Sequence, residues 1–145
     1  MSRARGYFFG AVFAVLLAAA TVSIQVLLQN GTAWQRRDQD IALIRSDGNP
    51  DRGRMLILQT GCGGCHEISG IPGARGAIGP PLNTVASRLM IGGVIANTPA
   101  NLMRWIENPR AVNPSTAMPQ LGLTPDQSRD IVAFLYANAG QTRPN

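Results

Sequence analysis

The stretch Cys62-Gly63-Gly64-Cys65-His66 decides the fold, because it contains both cysteines and the only histidine of the 145-residue chain. Two cysteines exclude a framework of several disulfides. A zinc site needs four ligands, whereas this chain offers two thiols and one imidazole. A thioredoxin-like redox pair would need a strand–helix context, which the surrounding sequence does not indicate.

The C-x-x-C-H pattern is typical of covalent haem attachment. In that chemistry the two thiols add across the vinyl groups of one porphyrin edge, and the adjacent imidazole lies under the ring to ligate iron. Gly63 and Gly64 are expected to leave room for the macrocycle against the backbone. We therefore predict one haem c, bound through Cys62 and Cys65, with His66 as an axial ligand of the iron.

The second axial ligand is expected to be a methionine sulfur. Met55 and Met103 lie in predicted helices, where methionine usually fills the core. Met90 follows a short helical stretch, whereas Met118 lies in a loop and is held by Pro119. We predict Met118 as the ligand and keep Met90 as the alternative. With both axial positions filled by protein, the pattern favours an electron carrier over an enzyme, and a methionine ligand raises the reduction potential.

The ligating imidazole is expected to donate its other ring N–H to a carbonyl or carboxylate. The strip Gly79-Pro80-Pro81-Leu82 is a candidate source of that carbonyl, since its prolines hold one backbone shape. The alternative is that this strip is simply a stiff turn.

Helix signals dominate the sequence after residue 50, and no stretch alternates in the manner of strands. An apolar-rich helical run covers residues 54–60. Thr98-Pro99 predicts the N-cap and first residue of a second helix, which ends at Asn108-Pro109. The stretch Thr124-Pro125-Asp126-Gln127 is a capping box that opens a last helix. This pattern predicts an all-α domain over residues 51–145.

Long loops separate these predicted helices, and the chain contains 16 Gly and 10 Pro residues. The loops 69–82 and 110–123 are too long for a compact three-helix bundle on its own. A cofactor is therefore expected to fill the space that they enclose.

An apolar segment without formal charges covers residues 7–28, and it would span roughly 33 Å as a helix, slightly more than a hydrocarbon core. Tyr7, Phe8, Phe9 and Trp34 flank it as interfacial anchors would. A cleaved signal peptide is the alternative, since Ala18-Ala19-Ala20 resembles a cleavage site. The apolar stretch continues beyond those alanines, so we predict a retained anchor over residues 1–28.

Residues 29–50 have the turn-rich composition of a linker. The apolar run Ile41-Ala42-Leu43-Ile44 interrupts it, and it is either one helical turn lying on the domain or a docking strip for a partner subunit. All 13 basic residues are arginines against 8 acidic residues, and they are spread along the chain, which disfavours a nucleic-acid-binding arm. Any electrostatic docking would use arginines such as Arg75, Arg104 and Arg110.

These residues together resemble a class I cytochrome c. Residues 79–136 are similar, more narrowly, to the cytochrome c domain of subunit II of some bacterial haem-copper oxidases. The matching pieces, besides the haem motif and the Gly79-Pro80 step with Leu82, are Val85-Ala86-Ser87-Arg88, Asn97-Thr98-Pro99, Asn101-Leu102, Trp105-Ile106, Asn108-Pro109, Met118-Pro119 and Leu121.

The resemblance implies the all-α cytochrome c fold, with helices and long loops around one covalent haem, preceded here by a single N-terminal transmembrane helix. It implies His66 and Met118 as axial ligands and the Pro80 carbonyl as the partner of His66. Arg88 and Trp105 would lie near the haem propionates. Two departures stand out: Pro81 replaces the usual Asp or Asn, and an apolar span stands where subunit II has a copper-binding domain.

The expected function is that of a membrane-tethered monohaem cytochrome c, which carries single electrons to or within a terminal haem-copper oxidase. The expected partners are the lipid bilayer and redox proteins of a respiratory chain. A periplasmic dehydrogenase or a nitric oxide reductase is the alternative complex, and a haem-based sensor or peroxidase is a third possibility. Bacteria attach haem c outside the inner membrane, which would place the domain in the periplasm and the N-terminus in the cytoplasm.

Overall fold

Helices make up most of residues 2–139, the part of the chain that this computed structural model describes. The α-helices there are α1 (Ser2–Asp47), α2 (Pro50–Gln59), α3 (Pro99–Glu107), α4 (Pro109–Val112) and α5 (Pro125–Ala137). Two 3-10 helices lie between α2 and α3, at Cys62–Gly64 and Leu82–Ser87. The predicted all-α class is confirmed. The end of the predicted domain, residues 140–145, lies outside the described residues.

Side-chain caps define the starts of the helices in the domain. The Thr98 side chain accepts from the Asn101 N–H at the start of α3, and Thr124 and Gln127 form a complete capping box at the start of α5. Both starts agree with the prediction. Helix α2 begins earlier than predicted, because Asn49 caps it and Pro50 occupies its first position. The Asn49-Pro50 step had indicated a linker, but it is a helix start.

A short antiparallel ladder corrects the expectation that the domain has no strands. Strand β1 (Met90–Ile91) pairs with β2 (Ile95–Ala96), with Met90 opposite Ala96. Gly92 and Gly93 have positive φ values of 55° and 74° and close the turn between the strands. Two-residue strands are too short to show alternation in the sequence, which is why the pattern missed them.

Residues 29–47, predicted as part of a linker, are helical in the structure and continue α1 to Asp47. The sequence before Pro50 contains no proline, and a lone glycine such as Gly31 costs a helix only about 1 kcal/mol. Ile41 and Ile44 pack against the hydrophobic core of the domain. That packing favours the first interpretation of the apolar run, a helical turn lying on the domain.

The chain divides into two compact units, Met1–Asp38 and Gln39–Asn145. The first unit contains a 20-residue segment, Phe13–Thr32, that is long and apolar enough to cross a membrane, with a mean hydropathy of 1.7. None of it is buried, so it is not a core helix, although a signal sequence near an N-terminus has the same properties. The side chains of Tyr7, Phe8, Phe9 and Trp34, the predicted anchors, lie outside the described part.

Helices α2 and α5 pack closely and form one side of the core of the second unit. A Cβ at Gly53 would lie 2.0 Å from the Asp130 carbonyl oxygen, so only glycine permits this approach. The fully buried Ile57 of α2 and the buried α5 residues Ile131 and Leu135 belong to the same hydrophobic cluster. The core therefore extends from this helix pair towards the loops that follow α2.

One ion pair joins the same two helices. The Arg52 guanidinium donates to both carboxylate oxygens of Asp130, at 2.8 and 3.2 Å, and the Asn49 N–H donates to Oδ1 at 2.7 Å. The hydrogen bonds from Arg52 lower the pKa of Asp130 below its usual value; burial opposes this, and the Asn49 N–H adds to the lowering. Asp130 therefore stays ionised at a pH where an unfolded-chain aspartate begins to take up a proton.

We expect Asp130→Asn to lower the free energy of unfolding by about 1–3 kcal/mol at pH 7, because it removes a charged acceptor of three hydrogen bonds. Since the folded-state pKa is lowered, this contribution is complete above about pH 4 and is lost as the pH falls through the folded-state value. Denaturant unfolding of wild type and variant at several pH values measures the difference.

Asp126→Asn is the matched control, since Asp126 also pairs with an arginine but its side chain is 82% exposed. Its effect should stay within about 1 kcal/mol. A difference between wild type and Asp130→Asn that persists unchanged at pH 2–3 would contradict the assignment.

Candidate cofactor site

A cavity of about 380 Å³ lies inside the second unit. Its lining comes from the segments between α2 and α5 and from buried faces of the helices, including Ile57, Leu102 and Leu135. Nine residues that were predicted to bind or contact the cofactor line it, whereas Gly63 and Gly64 do not: Cys62, Cys65, His66, Gly79, Pro80, Leu82, Arg88, Trp105 and Met118. Residues that are up to 56 positions apart in sequence therefore meet at one cavity.

The Cys62–His66 turn follows directly from the end of α2. Thr60 caps the helix, and Gly61 turns the chain with a φ of +72°, a conformation that glycine adopts without strain. The N–H groups of Cys65 and His66 then donate to the Cys62 carbonyl at 3.2 and 3.0 Å. Both thiols and the imidazole are thus held on one tight turn at the cavity wall.

Gly63 has a different role from the one predicted. A Cβ there would lie 2.7 Å from the Ala74 Cβ, and the Gly63 carbonyl accepts from the Gly76 N–H at 3.1 Å. Gly63 is therefore required by the loop that folds back on the motif, in addition to any space that a macrocycle needs. Gly64 is exposed with open space around it, and it does not line the cavity, so its predicted role beside a macrocycle stays a prediction.

The strip Gly79-Pro80-Pro81-Leu82 holds the His66 ring in place. Its Nδ1 lies 2.8 Å from the Pro80 carbonyl oxygen, so a ring N–H at that atom donates to this carbonyl and leaves the lone pair of Nε2 available to a metal. A Cβ at Gly79 would lie 2.2–2.9 Å from three atoms of the ring, so glycine is needed for this close approach. The Gly79 N–H donates to the Cys65 carbonyl at 2.8 Å, which ties the strip to the motif.

Arg88 and Trp105 lie at the same cavity but have protein contacts of their own. The Arg88 guanidinium donates to the Pro81 carbonyl, next to the carbonyl that His66 contacts. The Trp105 ring packs on Gly92, where a Cβ would lie 2.5 Å from the indole. Both side chains therefore help to position the loops around the cavity.

The four methionines after Met1 differ in their burial and in whether they line the cavity. Met118 is half-buried at the cavity, in the loop before α5, and its N–H donates to the Thr116 hydroxyl at 3.2 Å. Met90, the alternative ligand, also lines the cavity but is 46% exposed. Met103 packs against the core as expected, whereas Met55 is 50% exposed on α2 and is not core filling. The geometry thus leaves two sulfurs, of which Met118 is the more enclosed.

The lining suits a flat, largely apolar macrocycle that already contains a metal ion. It is mostly aliphatic, aromatic or glycine, with two thiols and one imidazole on the same turn. Between residues 2 and 139, no three His, Cys, Asp or Glu side chains are placed to hold a metal ion by themselves. A metal at this cavity would therefore need ligands from a cofactor.

Thr60 is a residue that the sequence analysis missed. Its hydroxyl lies 3.3 Å from the Cys62 sulfur and 2.7 Å from the Leu56 carbonyl, which it bonds as the helix ends. Its position directly before Gly61 and the motif was the available signal. Thr60 lies where it can orient the first thiol.

Comparisons with known proteins agree with this geometry. Residues 50–138 match the sequence model of the family described as cytochrome c. The chain is similar to cytochrome c2 of Rhodomicrobium vannielii, with 33% identity over 107 residues that cover 65% of this chain and 82% of that protein. Similarity to cytochrome c oxidase subunit 2 of Alkalihalophilus pseudofirmus amounts to 30% identity over 60% of this chain, but over only 24% of that longer protein.

Proposed function

Since the chain belongs to the cytochrome c family, whose members are electron carriers and not enzymes, we propose that it is a membrane-tethered carrier of single electrons in a bacterial respiratory chain. The family match covers the whole segment from the start of α2 to the end of α5. Membership also implies covalent haem c, for which both cysteines are present.

The observation that carries the proposal is the meeting of both thiols, the single imidazole and a loop methionine at one apolar cavity. Haem c supplies an iron centre that gains and loses one electron. Cys62 and Cys65 would hold it covalently, and His66 would ligate the iron through Nε2 while its Nδ1–H donates a hydrogen bond to the Pro80 carbonyl. The Met118 sulfur would complete the ligand set, and the aliphatic lining would exclude water.

This arrangement favours electron transfer over ligand chemistry. With His66 and Met118 both as ligands, the iron would have no free position for peroxide or a gas. An apolar environment and a thioether ligand both favour the reduced iron and raise its potential. A sensor or peroxidase would need a labile Met118, and the enclosed position of this side chain argues against that.

The segment Phe13–Thr32 supports the tether, since it is apolar, has no buried residue and is long enough to cross a bilayer. Because bacteria attach haem c outside the inner membrane, the haem domain would lie in the periplasm and the N-terminus in the cytoplasm. A tether raises the local concentration of a carrier at its membrane partners to the millimolar range without any new contact.

A terminal haem-copper oxidase is the partner that we propose. The similarity to a cytochrome c oxidase subunit 2 supports this choice. A periplasmic dehydrogenase or a nitric oxide reductase would use the same carrier chemistry. The partner therefore has to be identified by isolation.

The test is purification of the full chain from its native membranes in mild detergent. We expect it in the membrane fraction after a salt wash, at a mass equal to the uncleaved chain plus one haem, and together with oxidase haem and copper. Recovery in the soluble fraction at a shorter mass would identify a cleaved signal peptide. Co-purification with a dehydrogenase or a nitric oxide reductase would replace the proposed partner.

A further inference from the structure

The apolar segment Phe13–Thr32 contains a glutamine close to its middle. Gln25 lies about 4 Å from the midpoint of the segment, measured along the helix axis at about 1.5 Å per residue. In a segment that crosses a bilayer, this depth lies in the hydrocarbon core, where an amide without hydrogen bonds is strongly unfavourable. Gln29 and Asn30 lie within about 5 Å of the end of the segment, from where long polar side chains reach the headgroups.

The hydroxyl groups of the segment are satisfied within their own helix. Thr21 and Ser23 donate to the carbonyls of the preceding turn at 2.8 Å, and Thr32 does the same near the end of the segment. The Gln25 amide differs, because no hydrogen bond joins it to another group in the part of the chain that the structure describes. The partner of this amide therefore has to come from outside the helix.

Gln25 lies on the side of the helix that carries small side chains. Positions three and four apart share one face of an α-helix, and Ala14, Ala18 and Thr21 precede Gln25 at this spacing. We call these four residues the small face. All four are exposed, whereas the large side chain of Leu16 lies on the opposite side. Small side chains let the backbones of two membrane helices approach closely, and the three-four spacing is that of a left-handed helix pair.

We propose that the small face is the contact between two copies of this chain, whose helices pair in the membrane and exchange hydrogen bonds between their Gln25 amides. The proposal rests on the proposed function, which supplies the membrane tether, and it adds the partner of that tether. Copies of one chain insert with the same orientation, so the paired helices are parallel and identical residues meet at the same depth.

The chemistry of the amide favours a second copy as the occupant. A glutamine side chain carries two N–H donors and a carbonyl acceptor, so Gln25 is complementary to itself across a two-fold axis. A helix of another protein would need a polar group of its own at this depth, whereas a second copy supplies one by symmetry. Pairing would also cover the small face, where lipid would otherwise contact the backbone.

Association is measured on the full chain with its haem by sedimentation equilibrium, in a detergent whose density is matched by the solvent. Wild type should be a dimer. Gln25→Leu should raise the dimer dissociation constant about fivefold or more, because it removes the hydrogen bonds between the helices. Gln25→Asn keeps an amide at this position and should stay closer to wild type. Leucine makes the span more apolar, so failed membrane insertion would not explain a loss of association.

Ser23→Leu is the matched control, since it exchanges a polar side chain for leucine two positions away, on the opposite side of the helix. Ala18→Ile and Ala20→Ile form a second pair, with the same added bulk on the small face and away from it. We expect Ala18→Ile to weaken the dimer as Gln25→Leu does, and Ser23→Leu and Ala20→Ile to change the dissociation constant by less than about twofold. A monomeric wild type, or equal losses from Gln25→Leu and Ser23→Leu, would overturn the proposal.

Intact mass and the haem spectrum separate this proposal from the proposed function. A chain that lacks its N-terminal segment would indicate a cleaved signal peptide, and it would refute both the tether and the dimer. A full-length, membrane-bound chain with one haem that stays monomeric would refute the dimer alone. A chain that binds another membrane protein without pairing with itself, and that releases this protein in Gln25→Leu, would refute the second copy as the occupant.

Discussion

Replacement of both cysteines, Cys62→Ala/Cys65→Ala, is expected to abolish covalent haem and to leave the domain without a stable fold. The core residues Ile57, Leu102 and Leu135 face a cavity of about 380 Å³. Without the macrocycle the aliphatic side chains that line this cavity would face water, at about 25 cal/mol per Å² of apolar surface, and the total stability of an ordinary domain is only about 5–15 kcal/mol. Without the macrocycle the loops have little to pack against.

Intact mass, haem staining of a denaturing gel and thermal unfolding followed by circular dichroism measure this outcome. The single variants Cys62→Ala and Cys65→Ala are the matched controls, since each keeps one thiol that can form a thioether. We expect each of them to retain part of the haem and a lower melting temperature. A double variant that binds no haem and melts like wild type would contradict the proposed role of the cavity.

Local sequence rules correctly predicted the starts of α3 and α5. Thr98-Pro99 and the box at Thr124 each satisfy the first free N–H groups of a helix within four residues. Such signals depend on neighbours in sequence alone. The haem motif is also local, because the Cys62 carbonyl accepts both N–H groups of its own turn.

Features that depend on distant contacts were missed or misinterpreted. Asn49-Pro50 resembled a linker, and its role as a helix start is strengthened by the bond to Asp130, 81 positions away. The need for glycine at position 63 comes from Ala74 across the loop.

Among the site residues, too, some contacts could be predicted from the sequence and others could not. The resemblance to a known family implied the contact between His66 and Pro80, and the 2.8 Å distance agrees with it. The proline strip alone had left a stiff turn as an equal interpretation. The choice between Met118 and Met90 is still a prediction, because both sulfurs line the cavity.

Met118→Leu is therefore the substitution that tests the ligand set, and a large effect is expected. Leucine keeps nearly the same volume and apolar character, so the cavity stays filled while the sulfur is lost. The oxidised protein should lose its thioether-to-iron absorption band, and the reduced protein should bind carbon monoxide at neutral pH. The reduction potential should fall by on the order of 0.1–0.2 V, within the range of about 0.8 V that axial ligands span.

Met90→Leu is the matched control, because Met90 supplies the other sulfur at the same cavity and its exchange changes the packing in the same way. We expect its absorption band, carbon monoxide binding and potential to match wild type. The opposite result, with Met90→Leu losing the band and Met118→Leu keeping it, would assign the ligand to β1. The loop before α5 would then carry no ligand, and the greater burial of Met118 would not have identified the ligating sulfur.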